Sequence, residues 1–151
     1  MVRENPGGDT ALLDLSDEAL AGALGLVKRD ESGRLRPTVA GLLIAGREHA
    51  LRDYLPAHEV AFQVLHGTEV AVNEFRRRPL LHIHEWLTQA VDVRNEEQEL
   101  LIDGVRIGVP RYDRAGIREA INNALVHRDY TGLGAIHVQL HDDHVRVSNP
   151  G

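Results

Sequence analysis

An α+β fold, a two-layer α/β sandwich with helices on one face of a mixed, hairpin-rich sheet, is predicted by three features of the sequence. The run GAIHVQLHDDHVRVS alternates about Asp142-Asp143, so that a two-residue turn sets Leu140 against Val145 and Val138 against Val147 on one side, with His137, Gln139, His141, His144 and Arg146 on the other. Upstream, EQELLIDGVRIGVP carries Asp103-Gly104 between alternating apolar residues, the pattern of a type I′ hairpin whose two central residues need positive φ. Between the two hairpins, the stretch from about Asp113 to His127 repeats apolar residues at helical spacing. A sheet with one apolar and one polar face takes helices on one side only.

The remaining elements follow in chain order. Residues 1–14 are rich in Gly, Pro and polar groups and are expected to be a flexible lead-in, because they offer little apolar area to offset the entropy of ordering. A helical segment is expected over 15–56. Ser16 serves as N-cap before Asp17 and Glu18, the first helix runs to about Lys28, KRDESGRLRP is a turn, and Pro37 or Thr38 opens a second helix with Val39, Leu42 and Leu43 on one face. An α/β region is expected over 57–151. In it, HEVAFQVLH (His58 to His66) is apolar on both faces and reads as a central strand. Arg76, Arg77 and Arg78 form a solvated loop, and after Pro79 a long amphipathic helix carries Leu80, Ile83 or His84, Leu87 and Val91, with Trp86 in its core or packing surface.

Composition narrows the function. The 151 residues hold no cysteine, which excludes disulfides, thiolate metal sites and cysteine nucleophiles and fits a reducing cytoplasm. A formal net charge of -6 gives the whole chain no electrostatic reason to approach a polyanion, so a DNA-binding surface of its own is not expected. No apolar stretch reaches the roughly 18 to 20 residues that span a bilayer, and the expectation is a soluble cytoplasmic protein without a membrane partner.

The segment richest in chemistry is REAINNALVHRDY, Arg118 to Tyr130. At 100° per residue, Ile117, Ile121, Ala124 and Leu125 share one face, while Glu119, Asn123 and His127 stand at i, i+4 and i+8 in a stripe about 80° wide. Ala120 and Ala124 beside the stripe leave room for a bulky group. A polar stripe of this kind also occurs where a helix simply faces water, and His127 is equally suited to a structural place at the helix C-terminus.

Glu119-x-x-x-Asn123-Ala124 resembles the N-box helix of the Bergerat-fold (GHKL) ATPases, which include histidine kinases and gyrase-type topoisomerases. That resemblance implies Glu119 as candidate general base, Asn123 as magnesium ligand, and His127 beside the nucleotide; a carboxylate suits proton abstraction and an amide oxygen a hard cation. Over most of the chain, from about Leu15, the sequence also resembles Schlafen/AlbA-type transcriptional regulators, some of them labelled RecG-related helicases. The matching residues are Glu119, Asn122, Asn123, Ala124, His127 to Tyr130, then Asn149, Pro150 and Gly151, together with RPTVAGLLIAG (Arg36 to Gly46). The resemblance implies that residues 113–151 begin an incomplete histidine-kinase-like ATP-binding domain, and that DNA is contacted through a domain outside this chain.

The match is incomplete. Where the wider ATPase group reads Asp-x-Gly-x-Gly, its aspartate accepting from adenine, this chain has Asn149 in SNPG and reaches Gly151 before any later glycine box or lid. The resemblance implies ATP and magnesium as cofactors of an intact protein, none bound by this stretch alone, and Asn149 and Gly151 at the adenine end. The rival expectation is a structural or protein-interaction (oligomerisation) module with a degenerate nucleotide site, in which the same polar stripe meets a partner or another copy of the chain. A helicase or kinase reading fails: there is no G-x-x-x-x-G-K-S/T phosphate loop, and His127-Arg128-Asp129 lacks the asparagine a kinase loop needs, having Gly134 there. No G-x-S-x-G elbow accompanies the few serines. His141 and His144 face each other across an acidic turn without a third ligand at a suitable spacing, so no metal site is expected there.

Overall fold

In the computed structural model, which describes residue 12 and residues 14–151, Ser16 caps the first helix, α1 (Asp17–Ala23), its hydroxyl accepting from the Ala19 N–H at 3.3 Å. The helix ends before Lys28. KRDESGRLRP is not a simple turn but a small hairpin, β1 (Val27–Arg29) paired antiparallel with β2 (Leu35–Pro37). Asp30 organises its loop, accepting from the Ser32 hydroxyl at 2.6 Å, the Arg34 N–H at 3.0 Å and the Arg36 guanidinium at 2.9 Å. These bonds, that of Ser32 foremost, hold the Asp30 carboxyl below its usual range. α2 (Val39–Ala45) follows, with Thr38 accepting from the Gly41 N–H at 3.0 Å. Gly41 is required there: a Cβ would stand 2.0 Å from the Leu26 carbonyl oxygen. The lead-in expected over 1–14 lies almost wholly outside the described residues.

The chain divides into two units, Met1–Ala45 and Gly46–Gly151. The helix α3 (Glu48–Tyr54) groups with the second unit, where the Leu55 carbonyl after it accepts from the His58 N–H at 2.9 Å just before β3.

The second unit is built on a mixed sheet in the order β4-β3-β7-β8. β3 (Val60–His66) is central, antiparallel to β4 (Glu69–Arg76) and parallel to β7 (Ile136–Leu140), which in turn pairs antiparallel with β8 (Val145–Ser148). The last hairpin has the expected register, Leu140 opposite Val145 and Val138 opposite Val147. α4 (Leu80–Asp92) buries Ile83, Leu87 and Val91, and α5 (Arg114–Val126) buries Ile117, Ile121, Ala124 and Leu125. Both helices meet Val60, Phe62, Ile136, Val138 and Leu140 in one core. Each fully buried aliphatic chain of this kind stabilises by about 1.5–3 kcal/mol. This unit is therefore a mixed sheet with helices packed on its apolar side, an α+β arrangement.

Two further expectations need correction. The hairpin β5 (Glu97–Ile102) and β6 (Val105–Pro110) turns as expected, with Asp103 at φ 50 and Gly104 at φ 80, but forms a separate two-stranded sheet. Its face bearing Leu100, Ile102, Val105 and Ile107 is exposed. The arginine run is not simply a solvated loop. Arg76 ends β4 with its guanidinium 4.3 Å from the Trp86 ring, and Arg77 donates to the carbonyls of His58 (3.0 Å) and Pro56 (3.1 Å). Three carbonyl or aromatic partners within reach offset the desolvation that kept these cations in solvent on the sequence reading.

Candidate functional site: the groove along the last helix and strand

Asp113 starts α5 by accepting from the backbone N–H groups of Ala115 (3.2 Å) and Gly116 (2.9 Å). Its first turns carry small residues, Gly116 and Ala120, toward β8. The hollow they leave has a volume of about 570 Å³, with Ile117, Val145 and Val147 as its apolar lining and Arg111 and Tyr112 at one end. That size and character, apolar walls with a few charged groups, are those of small-molecule sites.

The Arg111-Tyr112 end is rigidly placed. Asn95, 5% exposed, donates its Nδ2 to the Tyr112 carbonyl and accepts the Tyr112 N–H at Oδ1, both at 2.9 Å. The Tyr112 hydroxyl donates to the His141 carbonyl at the end of β7, and burial pushes its pKa up. Arg111 lies 5.4 Å from the Tyr112 ring centre.

At the other end of α5 the His-Arg-Asp-Tyr sequence forms a clasp. Arg128, 5% exposed, donates to the carbonyls of Ala57, Glu59 (3.2 Å) and Gly134, joining the helix exit to the start of β3 and to the loop before β7. Asp129 turns the chain by accepting from the Thr131 hydroxyl (2.7 Å) and N–H (2.8 Å), which hold its carboxyl below the usual range. The Tyr130 hydroxyl donates to the Leu125 carbonyl at 2.7 Å. His58, fully buried, sets its ring 5.7 Å from that of Tyr130, with Nε2 2.7 Å from the Arg78 carbonyl. Burial, helped by the charges of Arg128 and Arg77, holds the His58 pKa below its ordinary value against the pull of that carbonyl.

Glu119, Asn123 and His127 are all exposed, and His127 closes the helix as its C-cap. None of the three lines the hollow. Gly116, Ala120 and Asn123 stand at i, i+4 and i+7, however, so Asn123 continues the strip that lines it, His127 follows one turn later, and Glu119 lies on the outer margin. α5 and β8 advance side by side, from Gly116 and Ala120 against Val145 and Val147 to the Asp129 N–H that donates to the Pro150 carbonyl at 3.3 Å. Asn149, half-buried, and exposed Gly151 therefore lie beyond the same end of the groove as Asn123 and His127. The sequence reading missed Arg111, Tyr112 and Asn95. The tyrosine two residues after Pro110 and just before the Asp113 cap is the signal that could have marked them.

Among the described residues no group of three His, Cys, Asp or Glu side chains is placed to hold a metal, and no helix is long and apolar enough to cross a membrane. His141 and His144 stack face to face, 4.3 Å between ring centres.

Comparison with known proteins gives likenesses to a family model and to solved structures. A family model described as a domain of unknown function (DUF8451) matches residues 3–61. The crystal structure of the DIP2311 protein from Corynebacterium diphtheriae superposes with a TM-score of 0.68 and 25% identity, covering 95% of this chain; the chain spans 28% of that protein's length. No curated protein matches.

Proposed function

We propose that the second unit is a regulatory, ATP-binding-like module of a longer DNA-binding transcriptional regulator. The observation that carries this reading is the groove between α5 and β8, whose strip of small residues leads from Gly116 and Ala120 to Asn123. Small side chains leave room for a ligand group against Val145 and Val147. Toward the implied cofactor, the exposed Asn123 amide would be the protein's ligand to a magnesium ion, which takes few protein ligands when phosphate oxygens supply the rest. Bound there, the ion would neutralise phosphate charge, and Glu119 would be placed to orient water. Arg111 at the opposite end offers a cation with no ion pair among the described residues. Contact with DNA would come from a domain outside this chain.

The test is calorimetry of magnesium-ATP with a chain extended beyond Gly151, in the original sequence and as Glu119→Ala and Asn123→Ala. The expected result is heat that Asn123→Ala reduces at least tenfold in affinity. Indistinguishable heats in all three remove the assignment.

A second reading, a self-associating interaction module, is favoured by the β5–β6 hairpin. An isolated two-stranded sheet is marginal in water, and here one face presents Leu100, Ile102, Val105 and Ile107, each between 43% and 61% exposed. Light scattering over a range of concentrations decides: a mass that rises with concentration, and falls back in Leu100→Lys, supports it, and a strict monomer ends it.

A further inference from the structure

We propose that the open face of the four-stranded sheet is a binding platform for single-stranded nucleic acid. The helices α4 and α5 cover the other face, and the strand registers fix which side chains stand on this one. Phe75 of β4 and His137 of β7 flank Ala61 of β3 as its two direct neighbours. The small alanine lets the rings meet above it, edge to face, with centres 6.5 Å apart, and Phe75 remains 48% exposed.

One register step along, three amides form a ladder across the same strands. Gln63 donates to Asn73 at 2.9 Å, and Gln139 donates to Gln63 at 2.8 Å. The outer groups of the ladder, the Asn73 amide nitrogen and the Gln139 amide oxygen, make no hydrogen bond among the described residues. They offer a donor and an acceptor to the edge of a base. Arg146 of β8 pairs with Gln139, is exposed, and makes no ion pair among the described residues. The stacked pair His141 and His144 follows just beyond the end of β7, with His144 held by Asp143 at 2.6 Å.

The side chains of this face single out the ligand. The chain carries 23 Asp and Glu, yet no acidic residue occupies this face within the paired strands. Arg146 is the unpaired cation of this face, while Asp142 and Asp143 lie at the turn beyond it, Asp143 2.6 Å from His144. Exposed rings for stacking, amides for base edges and an unpaired cation for phosphate are the parts from which sheet-based single-strand sites are made. A duplex hides its base faces and offers the sheet nothing to stack on.

The experiment is fluorescence anisotropy of labelled oligo-dT and oligo-U, with a duplex of equal length as competitor, at low and high salt. Phe75→Ala, Asn73→Asp and Arg146→Glu are measured on the whole chain, with Arg118→Glu on α5 as a cation away from the face and far-UV circular dichroism to confirm folding. Asn73→Asp changes charge at constant volume and keeps the test valid if Phe75→Ala does not fold. The expected result is salt-sensitive binding of single strands over duplex, weakened at least about fivefold by each face variant and unchanged by Arg118→Glu. Absence of binding, equal binding of duplex, or an equal loss in Arg118→Glu overturns the proposal. So does self-association abolished by the face variants, which would assign the face to a second copy.

Discussion

Replacing Asn95 by alanine tests whether the Arg111-Tyr112 end of the groove is held as the structure has it. The asparagine is 5% exposed and satisfies both backbone groups of Tyr112, donating to its carbonyl and accepting from its N–H at 2.9 Å each. Alanine strands a buried donor and a buried acceptor, each costing about 1–3 kcal/mol, so the middle of the range is about 4 kcal/mol. With a urea dependence of about 2 kcal/mol/M for a domain of this size, the unfolding midpoint falls by about 2 M. Asn95→Asp makes a sharper comparison: the carboxylate still accepts from the N–H but sets oxygen against the Tyr112 carbonyl and buries a charge, so it destabilises as well. The assay is urea unfolding followed by circular dichroism. A midpoint change below about 0.3 M for alanine, with the slope unaltered, would refute the reasoning.

Acid should weaken the second unit through His58. Its native pKa lies below its ordinary value, so the unfolded chain binds the proton first; the stability contributed by neutral His58 is complete above about pH 6.5 and is lost as pH falls from there through the lower native value. Urea midpoints between pH 8 and pH 5 should drop in the original sequence and stay flatter in His58→Gln, and parallel curves would dismiss the idea; Asp129, Asp142 and Asp143, whose pKa values are also lowered, act only in the more acidic carboxylate range. Gly104, at φ 80 in the β5–β6 turn, should tolerate no Cβ-branched side chain: Gly104→Val costs about 1–2 kcal/mol locally and should speed amide exchange in Glu97–Pro110 about 5- to 30-fold, whereas unchanged exchange would mean that the turn does not hold the hairpin.

What the sequence made legible was local. Asp103-Gly104 specified its turn because two consecutive positive φ angles admit few residues, and Ser16 and Asp113 marked helix starts because their side chains bond the free N–H groups of the first turn. The register of the last hairpin followed from the alternation of Val138, Leu140, Val145 and Val147. What stayed hidden was set by distant partners. β4 was missed because its strand carries exposed residues on both sides of an edge, with little apolar alternation to reveal it. The arginine run read as solvent-facing because nothing local shows Trp86 or the His58 carbonyl waiting for it. Arg128 looks like part of a catalytic triplet in sequence, while its contacts are three main-chain carbonyls from segments about 70 and 6 residues away, as its hydrogen bonds span.

The helix α5 shows why its polar stripe and the groove beside it do not coincide. Residues at i, i+4 and i+7 drift slowly around a helix of 3.6 residues per turn, so the strip holding Gly116, Ala120 and Asn123 lies between the buried Ile117–Ile121–Ala124 face and the outward Glu119. A group seated against Gly116 and Ala120 thus meets Asn123 next along its length, and reaches Glu119 only at the outer rim. Binding and water activation would then fall to different strips of one helix. On the proposed nucleotide-sensing reading, Glu119→Ala leaves binding intact and Asn123→Ala removes it.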